Sequence, residues 1–225
     1  QDVARPYLTW LQRQRPFVIL KSAVSLDGKI ATSGGESKWI TSDAARAYAR
    51  NLRAGVDAVM VGIGTVLADD PSLLAPADAP RQPARVIVDT ELRISRRARV
   101  LDGAARAIIL CGPGASPVRQ ARLERTGAEV VRVPARNGGV DLRLALAALV
   151  ERRIGSVLLE GGGNLNGSAL DARVVDRAAF FVAPLILGGR EAKTAVEGTG
   201  VNRIAEAMRL DRVQVRRIGS DILIE

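Results

Sequence analysis

Short apolar runs alternate with amphipathic stretches along most of the chain, and this alternation limits the possible folds more than any other feature. Residues 17–22, 56–62, 85–89, 105–111, 129–133, 156–159 and 177–182 read as strands. Several are apolar throughout, the pattern of strands buried on both faces. Residues 43–54, 118–126, 141–152 and 166–172 read as helices between them. Thr41 or Ser42 is the expected N-cap of the first, and Gly55 ends it. Strands alternating with helices predict an α/β fold with a mostly parallel central sheet covered on both faces. Two last runs, 213–218 and 221–225, flank Gly219-Ser220 and predict an antiparallel C-terminal hairpin. Residues 1–15 form a lead-in with a helical turn at Tyr7–Leu11, and 16–225 a single domain, a size that supports one large core.

Composition removes whole classes of chemistry. The chain has no histidine and a single cysteine, Cys111. Histidine triads, zinc sites, imidazole proton shuttles and disulfides within the chain are therefore excluded. Acid–base work falls to Asp, Glu, Lys, Tyr, Cys or the substrate itself. The formal net charge is +9, which suits a phosphorylated partner. The arginines are scattered, with no long block of like charge and few aromatics, so nucleic acid is not the expected partner. No apolar run approaches the roughly 18 residues of a membrane span, and the N-terminus lacks a signal-peptide core. The expected location is the cytoplasm, and no metal is expected.

Two distant stretches carry the strongest signals. Glu160-Gly161-Gly162-Gly163-Asn164-Leu165-Asn166-Gly167 follows an apolar strand and opens a helix. Consecutive glycines there suit either a backbone cradle for a pyrophosphate at a helix N-terminus or a tight strand–helix packing turn. Glu160 ends its strand at the edge where open α/β sheets place their crevice. Lys21 interrupts the first apolar strand, so it is either functional and paired or a snorkelling edge residue. Gly62-x-Gly64-Thr65, with Asp69-Asp70-Pro71, is a second anion nest or a helix start. Trp39 stacks on a planar ring or anchors its loop. Arg53 clamps an anion or complements a helix dipole.

These residues, in this order, resemble a family. Lys21-x-Ala23-x-Ser25-Leu26-Asp27-Gly28-Lys29, Gly35-Glu36-Ser37-x-Trp39-Ile40-Thr41, Arg53-x-x-x-Asp57-Ala58, Gly62-x-Gly64-Thr65-Val66-x-x-Asp69-Asp70-Pro71-x-Leu73 and Glu160-Gly161-Gly162 are similar to the motifs of the reductase domain of the bacterial riboflavin-biosynthesis deaminase–reductase. The resemblance runs from about Arg15 to the C-terminus. It implies a dihydrofolate-reductase-like three-layer fold and an NADPH-dependent reduction of 5-amino-6-(5-phosphoribosylamino)uracil to the ribitylamino compound. It also implies a homodimer and a fused or separate deaminase partner. NADPH contacts are implied at Ala23, Trp39, Thr65, Asp69, Thr90, Gly161, Gly162, Gly163, Asn164, Leu165 and Asn166. Substrate contacts are implied at Ser37, Arg53, Leu73 and Glu160, with Lys21 reaching the ribose chain. Because both residues interrupt or end apolar strands, Lys21 and Glu160 are read as the catalytic pair, close together at the strand ends and flanking the ribose. Thr90 and Arg93 are the candidates for the NADPH 2′-phosphate.

The chain departs from that family in two respects. The family continues Leu-Thr-x-Arg after Asp-Asp-Pro-x, whereas this chain has Leu73-Leu74-Ala75-Pro76. Arg81 and Arg85 stand as substitutes for the missing arginine, or the substrate is another pterin-like or phosphoribosyl compound. The net charge leaves a basic nucleic-acid-binding module as the reading from another class. The deaminase's zinc ligands are absent, so the chain is expected to be a reductase alone, excised or free-standing.

Overall fold

The structure is a computed structural model and describes residues 4–225. The described residues open with α1 (Ala4–Arg13), a full helix where a short helical turn was expected. The order then runs β1 (Phe17–Ser25), α2 (Asp43–Ala54), β2 (Ala58–Gly62), α3 (Ile63–Asp69), β3 (Ala84–Val88) and β4 (Ala107–Cys111). It continues with α4 (Pro117–Glu124), β5 (Glu129–Arg132), a small ribbon of β6 (Ala135–Arg136) and β7 (Gly139–Val140), α5 (Leu142–Val150) and β8 (Ser156–Leu159). Last come α6 (Gly163–Asp171), β9 (Arg177–Ala183), β10 (Val215–Ile218) and β11 (Asp221–Ile224).

The main sheet has the order β10-β11-β9-β1-β8-β2-β3-β4-β5. From β9 to β5 every pairing is parallel, and β11 and β10 close one end antiparallel. The expected fold class is the observed one. One face packs Val18, Leu20, Met60, Val86 and Leu159 against α5 and α6. The other packs Val59, Val61, Ile87 and Ile109 beneath α3 and α4, with α2 covering Ala179, Phe181 and Leu223. Among the described residues no helix is long and apolar enough to cross a membrane.

Arginine–carboxylate pairs, two of them with a buried arginine, pin the amino ends of the strands. Asp176 takes a two-pronged contact from Arg15 at 2.6 and 2.8 Å and accepts from the Val18 amide at 2.9 Å. Arg85, fully buried, donates to Asp102 at 2.7 Å and to the carbonyls of Arg99 and Ala105. Arg81 lies 2.8 Å from Asp57, just before β2. Arg81 and Arg85 therefore serve the sheet's amino edge, away from Glu160. Neither replaces the missing family arginine.

Ser42 caps α2, accepting from the Ala45 amide at 3.3 Å. Its own amide and hydroxyl donate to buried Asp221 at 2.8 and 2.7 Å, joining helix to hairpin. Ser42→Ala is expected to cost about 1–2 kcal/mol, a cap loss plus a poorly partnered carboxylate. Thermal melting should then fall by roughly 2–4 °C per kcal/mol for a chain of this size.

Candidate active site

Three residues from three elements meet at the carboxyl edge of the sheet. Lys21 projects from β1 on the α2 side, over the Phe181 ring at 5.8 Å. Arg53 comes from the last turn of α2. Glu160 immediately follows β8, its amide held by the Met60 carbonyl at 2.9 Å. Arg53 grips Glu160 with Nε at 2.7 Å and Nη2 at 3.0 Å, and Nη1 donates to the Leu74 carbonyl at 3.0 Å. Lys21 Nζ lies 3.7 Å from Glu160 Oε2. The side chains of all three are largely buried, at 15%, 16% and 10% exposure for Lys21, Arg53 and Glu160.

The electrostatics follow from this geometry. Burial pushes the Glu160 carboxyl up, but the Lys21 ammonium and Arg53 guanidinium outweigh it, so the group sits below its ordinary value. Burial alone would lower the Arg53 pKa, yet Glu160 leaves it raised. Glu160 is thus a fixed anion at neutral pH. Arg53, expected to clamp substrate, uses Nε and Nη2 to position Glu160.

A second group lies on the loop after β1. Ser37 donates to Asp69 at 2.9 Å, and Lys38 donates to the Asp69 carbonyl at 3.1 Å. Trp39 is 67% exposed, with the Arg46 guanidinium 4.5 Å from its ring centre. Lys38 and Arg46 were not anticipated from sequence. Arg46 four residues after the Ser42 cap was the available signal, since it lies in the first turns of α2, beside the preceding loop.

The glycine stretch divides. The helix opens at Gly163, three residues earlier than expected, with Gly162 as N-cap and no side chain capping it. A Cβ on Gly163 would lie 2.4 Å from the Thr194 carbonyl oxygen, and one on Gly167 would lie 1.8 Å from that of Glu197. These two glycines admit the 194–197 segment. Asn166 is fully buried and donates to the Ala195 carbonyl at 2.8 Å, so its amide also serves that segment. Gly162 differs: the nearest atom to its Cβ position is Thr65 Oγ1 at 3.9 Å. Open space, the uncapped first turn of α6 (Gly163, Asn164, Leu165) and the half-buried Thr65 hydroxyl fit a phosphate group. Gly161 is packed tightly against Leu165, 3.0 Å from its Cβ position.

The remaining expected residues are placed as follows. Ala23 lies two residues along β1 from Lys21, on the same face. Thr90 follows β3, and its carbonyl accepts from the Gly112 amide at 3.0 Å. Leu73 departs from expectation: it is 2% exposed and packed into the core with Val59 and Val66. Its side chain fills the core instead of lining the crevice, and its backbone takes a left-handed turn at φ 58°.

Asp27 braces the turn after β1. It accepts from the Ser25 hydroxyl at 2.6 Å and from the Leu187 and Gly188 amides at 3.1 and 2.7 Å. The Ser25 bond leads in holding its pKa at about 2. A carboxyl lowered on folding stabilises above its unfolded value, about 3.9, and that contribution is lost as pH falls through the folded value. Denaturant midpoints of wild type and Asp27→Asn should therefore converge as pH drops from about 4 toward 2. A constant gap across that window would contradict the assignment.

Comparison with known proteins places this geometry. Residues 16–224 match the model of the RibD C-terminal domain. Riboflavin biosynthesis protein RibD of Actinobacillus pleuropneumoniae is 38% identical over the whole chain, which spans 60% of that relative. The chain spans about 60% of the length of these RibD relatives. The 2,5-diamino-6-ribosylamino-4(3H)-pyrimidinone 5′-phosphate reductase of Methanothermobacter thermautotrophicus is 42% identical, with 94% of this chain and 97% of that one aligned. Among solved structures, Acinetobacter baumannii RibD superposes with a TM-score of 0.86 at 30% identity, covering 99% of this chain and 61% of that one. With the family model spanning nearly all its length, the chain belongs to the RibD C-terminal domain family.

Proposed function

We propose that this chain catalyses the NADPH-dependent reduction of 5-amino-6-(5-phosphoribosylamino)uracil to 5-amino-6-(5-phosphoribitylamino)uracil. The observation that carries the reading is the Lys21–Glu160–Arg53 cluster at the sheet's carboxyl edge, beside an uncapped helix start. When bound, the reduced nicotinamide supplies the hydride. The chain's residues orient the sugar and handle the proton. As the ribosylamine ring opens, the C1′–ring oxygen bond breaks and the oxygen takes a proton, leaving a C1′=N bond to be reduced. Lys21 Nζ supplies that proton, and Glu160, 3.7 Å away, holds the ammonium in place. Ser37 and Glu160 bind the substrate's polar groups, with the Leu73–Leu74 backbone behind them. Ala23, Trp39, Thr65, Asp69, Thr90 and Gly161–Asn166 line the cofactor's path, Asn166 through its backbone.

A specific observation favours a second substrate. The relative aligned along 97% of its own length is named for the 2,5-diamino pyrimidinone, the ring before deamination. Steady-state kcat/KM for both pyrimidines, followed by NADPH absorbance, separates them. A clear preference for the uracil is expected; turnover of neither would sink the proposal.

The same reading makes the chain a cytoplasmic homodimer working with a deaminase. Val201, Ile204, Met208, Leu210, Val213 and Val215 are all at least half exposed and lead into β10, the sheet's edge strand. A second copy covering that surface would bury them. Sedimentation should give twice the chain mass, and Ile204→Asp should return it to the monomer value.

A further inference from the structure

The turn that lacks the family arginine lies against α2. Pro76 stands at that position. Arg53 Nη1 donates to the Leu74 carbonyl at 3.0 Å, which holds the 73–76 turn beside the last turn of the helix. Arg53 itself is committed, because its other two nitrogens grip Glu160. Arg50 stands one helical turn before it, and Arg46 one turn before that. Spacings of four and three residues put Arg46, Arg50 and Arg53 on one face of α2. Arg46 is also committed: it donates to the Thr41 carbonyl at 2.6 Å and to Asp43, and it lies on the Trp39 ring. Arg50 is exposed, and among the described residues it alone of the three has no ion pair or hydrogen-bond partner.

The direction of α2 sets where this guanidinium stands. The N-cap Ser42 bonds Asp221, the first residue of β11, and the next residue, Ile222, pairs with Val182 at the carboxyl end of β9. The helix therefore starts at the carboxyl edge of the sheet and runs back along it. At the ordinary helical rise Arg50 is about 4.5 Å nearer that edge than Arg53, one turn up the wall from Glu160. Charge narrows the ligand. Lys21, Arg53 and Arg50 against Glu160 leave a balance of 3 − 1 = +2. Like charges at helical spacing are unfavourable without an anion between them, and a phosphate monoester carries close to two negative charges at neutral pH. We propose that Arg50 binds the 5′-phosphate of the substrate's sugar chain, in place of the arginine that this chain lacks at Pro76. A sugar held at C1′ between Lys21 and Glu160 carries its phosphate at the far end, and Arg50 stands one turn away along the wall. The assignment rests on the substrate reading above. It makes Arg50 a residue of substrate affinity with no part in the proton transfer.

Two measurements on wild type, Arg50→Ala and Arg50→Lys test it: steady-state kinetics with 5-amino-6-(5-phosphoribosylamino)uracil, and calorimetric titration with ribose 5-phosphate, ribose and NADPH. Loss of one charge-assisted contact in Arg50→Ala should raise KM and weaken ribose 5-phosphate by a similar factor, on the order of 10- to 100-fold. The loss should appear in KM and leave kcat within about threefold, the pattern of a contact made equally in ground and transition states. Ribose and NADPH should bind as they do to wild type. Lysine keeps the charge and loses the fork, so Arg50→Lys should recover part of the binding. Arg50 is exposed and unpaired, so the melting temperature without ligand should hold. An unchanged KM, or ribose 5-phosphate that binds Arg50→Ala as it binds wild type, overturns the proposal while turnover of the uracil leaves the catalytic reading standing. If NADPH weakens and ribose 5-phosphate does not, the arginine serves the cofactor and the proposal fails as well. A wild type that binds ribose 5-phosphate through Arg50 yet reduces neither pyrimidine upholds the arginine and refutes the catalytic reading.

Discussion

Glu160→Gln and Lys21→Ala are each expected to cut turnover by roughly 10²- to 10⁴-fold, the range typical of a lost proton donor or its partner. The glutamine keeps the shape of the side chain and leaves Arg53 an acceptor. It removes the anion that holds Lys21 at 3.7 Å. Two buried cations then face a neutral amide, so some stability is lost as well. Melting curves and kinetics separate the two effects, because a purely structural role moves the melting temperature without a matching loss at saturating substrate. The two changes share one interaction, so the double variant should be little worse than either single one. Retention of turnover within about threefold in either variant would remove the pair from the chemistry. The pH profile offers a second handle. Burial pushes the Glu160 carboxyl up, but Lys21 and Arg53 together hold it below its ordinary value. Its charge, and the activity depending on it, should therefore persist at neutral pH and fail only in acid, below the ordinary carboxylate range.

Gly167→Ala should be the most destabilising single methyl in the chain's glycine stretch. Its Cβ would fall 1.8 Å from the Glu197 carbonyl oxygen and 2.8 Å from the Glu197 carbonyl carbon, both backbone atoms. The 194–197 segment would have to leave α6, breaking the Glu197–Gly163 backbone bond and the Asn166–Ala195 contact. Overpacking of this kind costs 1–3 kcal/mol or more, and about 3 kcal/mol or above is expected with these bonds lost as well. Gly162→Ala is the contrasting case. Its φ of −76° suits any residue, and the nearest atom would be 3.9 Å away. That variant should melt like wild type and bind NADPH more weakly, because the methyl occupies the space before the helix N-terminus. Equal melting losses in both variants would contradict the division between packing glycines and a binding glycine.

That division also marks where sequence reading ran out. Strands buried on both faces announce themselves as unbroken apolar runs, and β8 was placed at its true ends for that reason. The same logic singled out Lys21 and Glu160, which break or end such runs, and the fold brings them together across 139 positions. Local signals misled where a distant segment decided the outcome. The cluster of glycines delayed the expected start of α6, because glycine is a poor helix former, yet the helix begins at Gly163. Two of those glycines answer to residues 194–197, about thirty positions on, and no local pattern encodes that approach. Leu73 and Arg53 show the same limit. A motif position tells which residue matters, but only the packing shows that Leu73 turns into the core and Arg53 grips Glu160.

We propose that the Lys21–Glu160–Arg53 cluster serves reduction of a phosphoribosylamino pyrimidine. Mixing the purified chain with NADPH and 5-amino-6-(5-phosphoribosylamino)uracil, and weighing the product by mass spectrometry, tests it most directly. The account predicts loss of NADPH absorbance in step with a product that has gained a pair of hydrogens on its sugar chain, and no such product from the Lys21→Ala chain. An unreduced sugar chain in the presence of bound NADPH, or the same product formed at full rate without Lys21, would contradict it.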